Sequence, residues 1–142
     1  PRALYDTPGN VFVAGFIGSP AMNIKTVPLT EQGGAFGDMV LPMPREQREA
    51  AEKDGNGKVT IGFRPEECRL VGASDGGLAI VVELVEDLGS HANVYGAADI
   101  DGQPERFVVT IDRKDMPTMG DTIHIKPANG HHVFHAVTGE RL

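Results

Sequence analysis

The sequence contains no tryptophan, a single cysteine, and no apolar run long enough to cross a bilayer. The lone Cys68 excludes an internal disulfide. Basic residues are few: the sequence has 13 basic and 20 acidic residues, so the formal net charge is -7. This balance argues against binding of nucleic acid or of an anionic membrane through bulk charge.

What the chain does contain is turns and short strands. The 18 glycines and 10 prolines divide it into short segments, several of which alternate apolar with other residues, as half-buried strands do. The alternating positions are Val59, Ile61 and Phe63; Leu78, Ile80, Val82 and Leu84; and Phe107, Val109 and Ile111. Other strands are predicted at Ile24–Leu29, Ala35–Leu41, Arg69–Val71, His91–Ala97, Ile123–Ile125 and Val133–Val137. This spacing predicts a mainly β domain, and we favour a small Greek-key barrel of the OB type.

Two short helices are predicted beside these strands. Arg45–Lys53 has opposite charges four residues apart and a thin apolar face, which indicates an exposed insertion. Pro8–Ile17 has Thr7 as a candidate N-cap, and an apolar face that includes Phe12 and Phe16.

Motifs for phosphate or calcium binding fail on spacing. A phosphate loop needs Gly, four residues, Gly, Lys and then Ser or Thr, but Gly57-Lys58 is followed by Val59, and Glu52 stands where the first glycine belongs. A calcium loop counted from Asp54 meets the same Val59 at the sixth position, where glycine is required. The chain is therefore predicted to hold no ATP or other cofactor, and to have no catalytic residue of its own.

Other reactive side chains favour structural roles. His131, His132 and His135 cluster at the predicted strand Val133–Val137. In a strand context, His132 and His135 point to opposite faces, so a metal site is disfavoured. Cys68 stands among apolar strand residues, which favours a buried, inert thiol over a catalytic Cys–His pair. The carboxylates Glu83, Glu86 and Asp87 fit a solvated strand end better than an acid–base pair.

Several segments resemble one protein family. LYDTPGNVFVAGFIGSPAMN at Leu4–Asn23 is similar to the junction in ATP-binding subunits of sugar-type ABC importers, the maltose-importer ATPase family. VTIGFRPEE at Val59–Glu67, VELVEDLGSHANVYG at Val82–Gly96 and VFHAVTGERL at Val133–Leu142 continue the resemblance. It implies that residues 1–18 are the helical end of a nucleotide-binding domain and that residues 19–142 are an OB-type regulatory domain.

The resemblance also implies a function. The parent chain would use ATP and magnesium to drive carbohydrate uptake, at the cytoplasmic side of the membrane and against permease subunits. This chain would associate with a second copy and with its own ATPase domain, and in some members of the family a regulatory protein also binds. No nucleic acid is expected as a partner.

Two turns are candidates for the contact between copies. Pro65 fixes the backbone between Arg64 and Glu66, so we expect the two charges to be displayed in a defined direction. The hairpin end Glu86–His91, which includes Ser90, is the second candidate, and a purely structural role for Arg64-Pro65-Glu66 stays open. By resemblance, Phe12 and Phe16 face the ATPase domain.

An OB module that binds oligonucleotides or small anions is the alternative. Such modules use aromatic side chains and a basic groove. The chain has 2 tyrosines and 6 phenylalanines, and no basic cluster marks an anion site.

Overall fold

The computed structural model describes residues 9–10, 21–128 and 130–142. Ten strands and one α-helix follow one another along the described chain. In order they are β1 (Asn23–Pro28), β2 (Gly33–Phe36), β3 (Met39–Pro42), α1 (Arg45–Glu52), β4 (Lys58–Phe63), β5 (Cys68–Val71), β6 (Leu78–Asp87), β7 (His91–Ile100), β8 (Gln103–Asp112), β9 (Thr122–Pro127) and β10 (His132–Phe134). Short 3₁₀ helices follow β4 and β8, at Pro65–Glu67 and Arg113–Asp115. The predicted mainly β class is confirmed.

The strands form three antiparallel sheets. One has the order β1-β4-β10, the second is the hairpin β2-β3, and the third has the order β5-β9-β6-β7-β8. The predicted hairpin of β6 and β7 is the centre of the third sheet. Within the described residues, no helix is both long enough and apolar enough to cross a membrane.

A side chain joins the first sheet to the third. Asn23, at the start of β1, donates from Nδ2 to the carbonyl oxygen of Val108 in β8 at 2.8 Å, and its Oδ1 accepts from the Val108 N–H at 2.9 Å. The same Nδ2 lies 3.3 Å from the carbonyl oxygen of Phe63. Asn23 is only 5% exposed, so these bonds form away from solvent and connect β1, β4 and β8.

The core lies between the sheets and is centred on three aromatic rings. Phe36, Phe63 and Phe107 have ring centroids 5.8 to 6.2 Å apart, and each comes from a different sheet. β4 is the central strand of its sheet, and its residues are buried on both faces. The alternation predicted for β4 therefore identified only one of its two buried faces.

Three strand predictions are wrong in detail. The predicted strand Val133–Val137 ends at Phe134, and residues 136–138 form a turn. The predicted strand Ala35–Leu41 is a hairpin, because the chain turns at Gly37, whose φ of +59° suits glycine. Leu84 does not share the buried face of Leu78, Ile80 and Val82: a bulge between Val82 and Leu84 shifts the register with β7, and Leu84 is 55% exposed.

The helix predictions have different outcomes. α1 forms as predicted, with Arg45–Glu49 and Arg48–Glu52 ion pairs on its surface and only Ala51 buried.

Most of the predicted helix Pro8–Ile17, with Phe12 and Phe16, lies outside the described residues. Its two described residues are not helical: Gly9 lies in a bend, and Asn10 forms an antiparallel bridge with Glu140. The prediction is wrong at these two positions.

Candidate functional site

The Arg64-Pro65-Glu66 turn displays one charge rather than two. Pro65 begins the 3₁₀ helix that ends β4, as its fixed φ allows. Glu66 is exposed, but Arg64 is 1% exposed and belongs to the interior. Arg64 has the same strand parity as Thr60 and Gly62, which lie on the second buried face of β4. The expectation that both charges are displayed is therefore wrong for Arg64.

Arg64, Arg141 and His131 lie close enough to His132 to affect its protonation. His132 Nδ1 accepts a hydrogen bond from Arg141 Nη2 at 3.0 Å, so His132 is neutral in this arrangement. Burial, followed by the nearby charges of Arg141, Arg64 and His131, lowers the pKa of His132 to about 4. The Arg141 guanidinium also lies 5.9 Å from the centre of the Phe134 ring. This cluster ties the last residues of the chain to β10.

The second candidate turn, at the end of the β6–β7 hairpin, carries a polar network. Glu86 Oε1 accepts from Asn93 Nδ2 at 3.0 Å, and Asn93 Oδ1 accepts from Thr110 Oγ1 at 2.7 Å. Ser90 Oγ and His91 Nδ1 are 2.9 Å apart, and both residues are exposed, as Glu86 is. The structure therefore brings Glu86, Ser90 and His91 together at one hairpin end.

The three carboxylates of β6 have three different partners. Glu83 pairs with Arg106, Glu86 with Asn93, and Asp87 with Arg113 at 3.1 Å. A hydrogen bond from the Gly89 N–H lowers the pKa of Asp87, and Arg113 adds to that effect. Each carboxylate thus orders a strand end or a turn.

Glu66 and the hairpin end lie on strands that are not neighbours. Glu66 leads into β5, and β9 separates β5 from β6 in the sheet. A contact through both turns would therefore use separated points on the surface.

Cys68 and the histidines have structural environments. The Cys68 thiol is buried and lies 3.5 Å from the Arg64 carbonyl oxygen; burial, followed by the charges of Glu66 and Glu67, raises its pKa to about 12. His135 Nδ1 accepts from the N–H groups of Val137 and Thr138, which leaves its Nε2–H to donate to the Lys53 carbonyl oxygen at 2.7 Å. His135 fastens the C-terminal turn to the end of α1.

A concave surface of about 700 Å³ was not anticipated from the sequence. Three turns line it, namely those between β2 and β3, between β5 and β6, and between β7 and β8. Its carboxylates are Asp38, Asp99 and Asp101, of which Asp101 pairs with Lys58 at 3.1 Å. In the described part of the chain, no group of three or more His, Cys, Asp or Glu residues is arranged to hold a metal ion.

Comparisons with known proteins match two overlapping parts of the chain. Residues 18–68 match the family described as the MalK OB fold domain, and residues 61–134 match the TOBE domain family. The whole chain is 41% identical to part of a Streptomyces coelicolor protein named diacetylchitobiose uptake system ATP-binding protein MsiK, of which it covers 42%. It is 34% identical to the sn-glycerol-3-phosphate import ATP-binding protein UgpC of Escherichia coli and to that of Shigella sonnei, covering 39% of each. The chain thus spans about two fifths of the length of these curated relatives.

Proposed function

Because the chain belongs to the TOBE domain family, we propose that it is the regulatory and dimer-forming domain of the ATP-binding subunit of a carbohydrate importer. The observation that carries the proposal is the similarity of the whole chain to MsiK and UgpC, whose names describe ATP-binding proteins of uptake systems. Sugars and sugar phosphates are both within the proposed substrate class.

In this proposal, ATP hydrolysis belongs to the parent subunit. Its remaining part binds ATP and magnesium, lies on the cytoplasmic side of the membrane and contacts the permease subunits. The contribution of this chain is association: two joined copies raise the effective concentration of one ATPase domain near the other. A regulatory protein can act on the same domain only if it binds the open and closed states unequally.

The proposed division is a helical end of the ATPase domain at residues 1–18 and a regulatory domain at residues 19–142. Contacts at Gly9 and Asn10 support a fixed junction, because Arg141 N–H donates to the Gly9 carbonyl oxygen and Asn10 bridges Glu140. We further propose that Phe12 and Phe16 face the ATPase domain.

For the contact between copies, the proposed groups are Glu66, Glu86, Ser90 and His91. All four are exposed, and they lie at turns held by a proline or by a hydrogen-bond network. The buried residues Arg64 and Pro65 act in this proposal by positioning Glu66. A contact of this kind is small and polar, so it is weak in isolation.

The alternative, an anion- or oligonucleotide-binding OB module, has less support. Stacking on bases needs exposed aromatic rings, but among the described aromatic residues Phe36, Phe63, Phe107 and Phe134 are buried and Tyr95 is half-buried. The 700 Å³ concave surface carries carboxylates, which repel phosphate and oxyanions. A gel shift or an anion titration distinguishes this alternative from the proposal.

The proposal is tested by isolating the native polypeptide with an antibody raised against this chain. We expect the antibody to precipitate a longer polypeptide that hydrolyses ATP and brings permease subunits with it. The recombinant 142-residue chain, as the matched control, should show no ATP turnover above a buffer blank. A precipitate without ATPase activity or permease subunits would contradict the proposal.

A further inference from the structure

The second half of β6 has a free edge. β9 pairs with β6 only from Leu78 to Val81, and the loop before β9 adds two bonds at Val82, from Gly120 N–H to the Val82 oxygen and from Val82 N–H to the Asp121 oxygen. Beyond the bulge at Val82–Leu84, no strand of the described chain pairs with β6 on that side.

Hydrogen-bond parity identifies the backbone groups at this edge. Leu88 N–H donates to the His91 oxygen, so Leu88 faces β7, and alternate residues Glu86 and Leu84 face it too. Val85 and Asp87 therefore direct their N–H and C=O groups away from β7. These are the groups that an added strand would use.

Exposed apolar side chains surround the same edge. Of the seven large hydrophobic residues that stand out as exposed in the described chain, five lie on β6, at its tip or in the loop between β8 and β9: Val81, Leu84, Leu88, Met116 and Met119. The loop is anchored at both ends beside β6, since Arg113 bonds to Ser90 and Asp87, and Gly120 bonds to Val82. Met116 and Met119 lie between these anchors.

The charge of the region is negative. Its acidic residues are Glu83, Glu86, Asp87, Asp112, Asp115 and Asp121, and its basic residues are Arg106, Arg113 and Lys114. Arg106 and Arg113 are already engaged by Glu83 and Asp87. A second copy is a poor occupant, because antiparallel pairing centred on Val85 would place Glu83 opposite Asp87 of the other chain.

We infer that the free edge of β6 receives an extended segment of another protein, in which basic and apolar residues alternate. The segment adds a strand through Val85 and Asp87, its apolar side chains contact Leu84 and Leu88, and its cations face the acidic residues. The inference rests on the geometry of β6 and is independent of the proposed transport function.

The probe for the test is a nine-residue fluorescein-labelled peptide in which lysine alternates with valine or threonine. We expect saturable binding by fluorescence anisotropy, and slower amide hydrogen exchange at Val85 and Asp87 when the peptide is bound. Val85→Pro removes an edge donor that β7 does not use, and should weaken binding at least tenfold. Leu84→Ser should weaken it about three- to tenfold, whereas Val137→Ser, at an exposed valine elsewhere, should change it less than about twofold.

If Val85→Pro fails to fold, two altered peptides test the same strand addition on the unchanged protein. Glutamate in place of lysine reverses the charge, and N-methylation of alternate residues blocks the main chain; each should weaken binding at least tenfold. The inference is overturned if the lysine peptide does not bind at about 1 mM, or if either altered peptide binds equally well. It is also overturned if sedimentation shows that the edge pairs two copies, with Val85→Pro releasing monomers.

Discussion

The side chain of Asn23 bonds to both backbone groups of Val108, as a residue of a neighbouring strand would. It satisfies the outward-facing N–H and C=O of Val108, a half-buried residue of β8, and links that strand to β1. Asn23→Ala leaves these groups without their partner, so we expect a loss of about 2 to 4 kcal/mol in the free energy of unfolding. Urea denaturation followed by circular dichroism measures this loss.

Gln103→Ala, at an exposed position of β8, is the matched control and should change the free energy of unfolding by less than about 0.5 kcal/mol. Asn23→Asp should also destabilise, because a carboxylate cannot donate to the carbonyl oxygens of Val108 and Phe63. If Asn23→Ala is as stable as the control, the side chain does not join the sheets.

The thiol of Cys68 should be unreactive in the folded protein. Its burial and its pKa of about 12 leave almost no thiolate at pH 7.5, and the thiolate is the reactive form. We expect labelling by a disulfide reagent to require unfolding, and to become rapid in concentrated urea. Rapid labelling of the native chain in buffer would show that the thiol is exposed.

The stability of the fold should fall as the pH falls from about 6.5 to about 4. His132 in the unfolded chain takes up its proton near pH 6.5, but in the fold only near pH 4, so protons favour the unfolded state across this window. Partial exposure screens the effect, and we expect a loss of about 1 to 2 kcal/mol, measured by urea denaturation at several pH values.

His132→Asn keeps an acceptor for Arg141 but does not titrate, so it should reduce the pH dependence. It should not abolish it, because burial also lowers the pKa of His131. His91→Gln, at an exposed histidine, is the control. An unchanged slope in His132→Asn would exclude His132 as the source.

Self-association, if it uses the proposed turns, should depend on Glu66 and Glu86. We expect the chain to dissociate at micromolar concentration, and Glu66→Lys or Glu86→Lys to shift the dissociation constant at least about fivefold, as charge changes at a small polar contact do. Sedimentation velocity measures the shift, and Glu46→Lys on exposed α1 is the control. Equal association of all three variants would remove these turns from the interface.

Local sequence signals predicted most of the architecture. Alternation identified one buried face of β4 and the buried residues of β8, and the Gly89-Ser90 turn identified the β6–β7 hairpin, because these features depend on neighbours in the chain. The bulge that exposes Leu84 was not predictable in this way. It shifts the pairing of β6 with β7 close to the point where pairing with β9 ends, and β9 is distant from β6 in sequence.

The candidate site was only partly predictable for the same reason. The turn geometry of Pro65 was readable, but the burial of Arg64 depends on residues distant in sequence that pack around it. Likewise, the role of His135 depends on the Lys53 carbonyl oxygen, 82 positions away. Contacts between residues this far apart in sequence do not produce a local periodic pattern from which they could be predicted.

The bridge between Asn10 and Glu140, with the bond from Arg141 to Gly9, has a mechanical consequence. A pulling force applied to these two segments enters and leaves the molecule at adjacent points. The strands of the sheets bear no tension until the bridge has opened, so the bridge is the first contact to break. A domain that moves at the Gly9–Asn10 end would therefore strain this short bridge before it could distort the core.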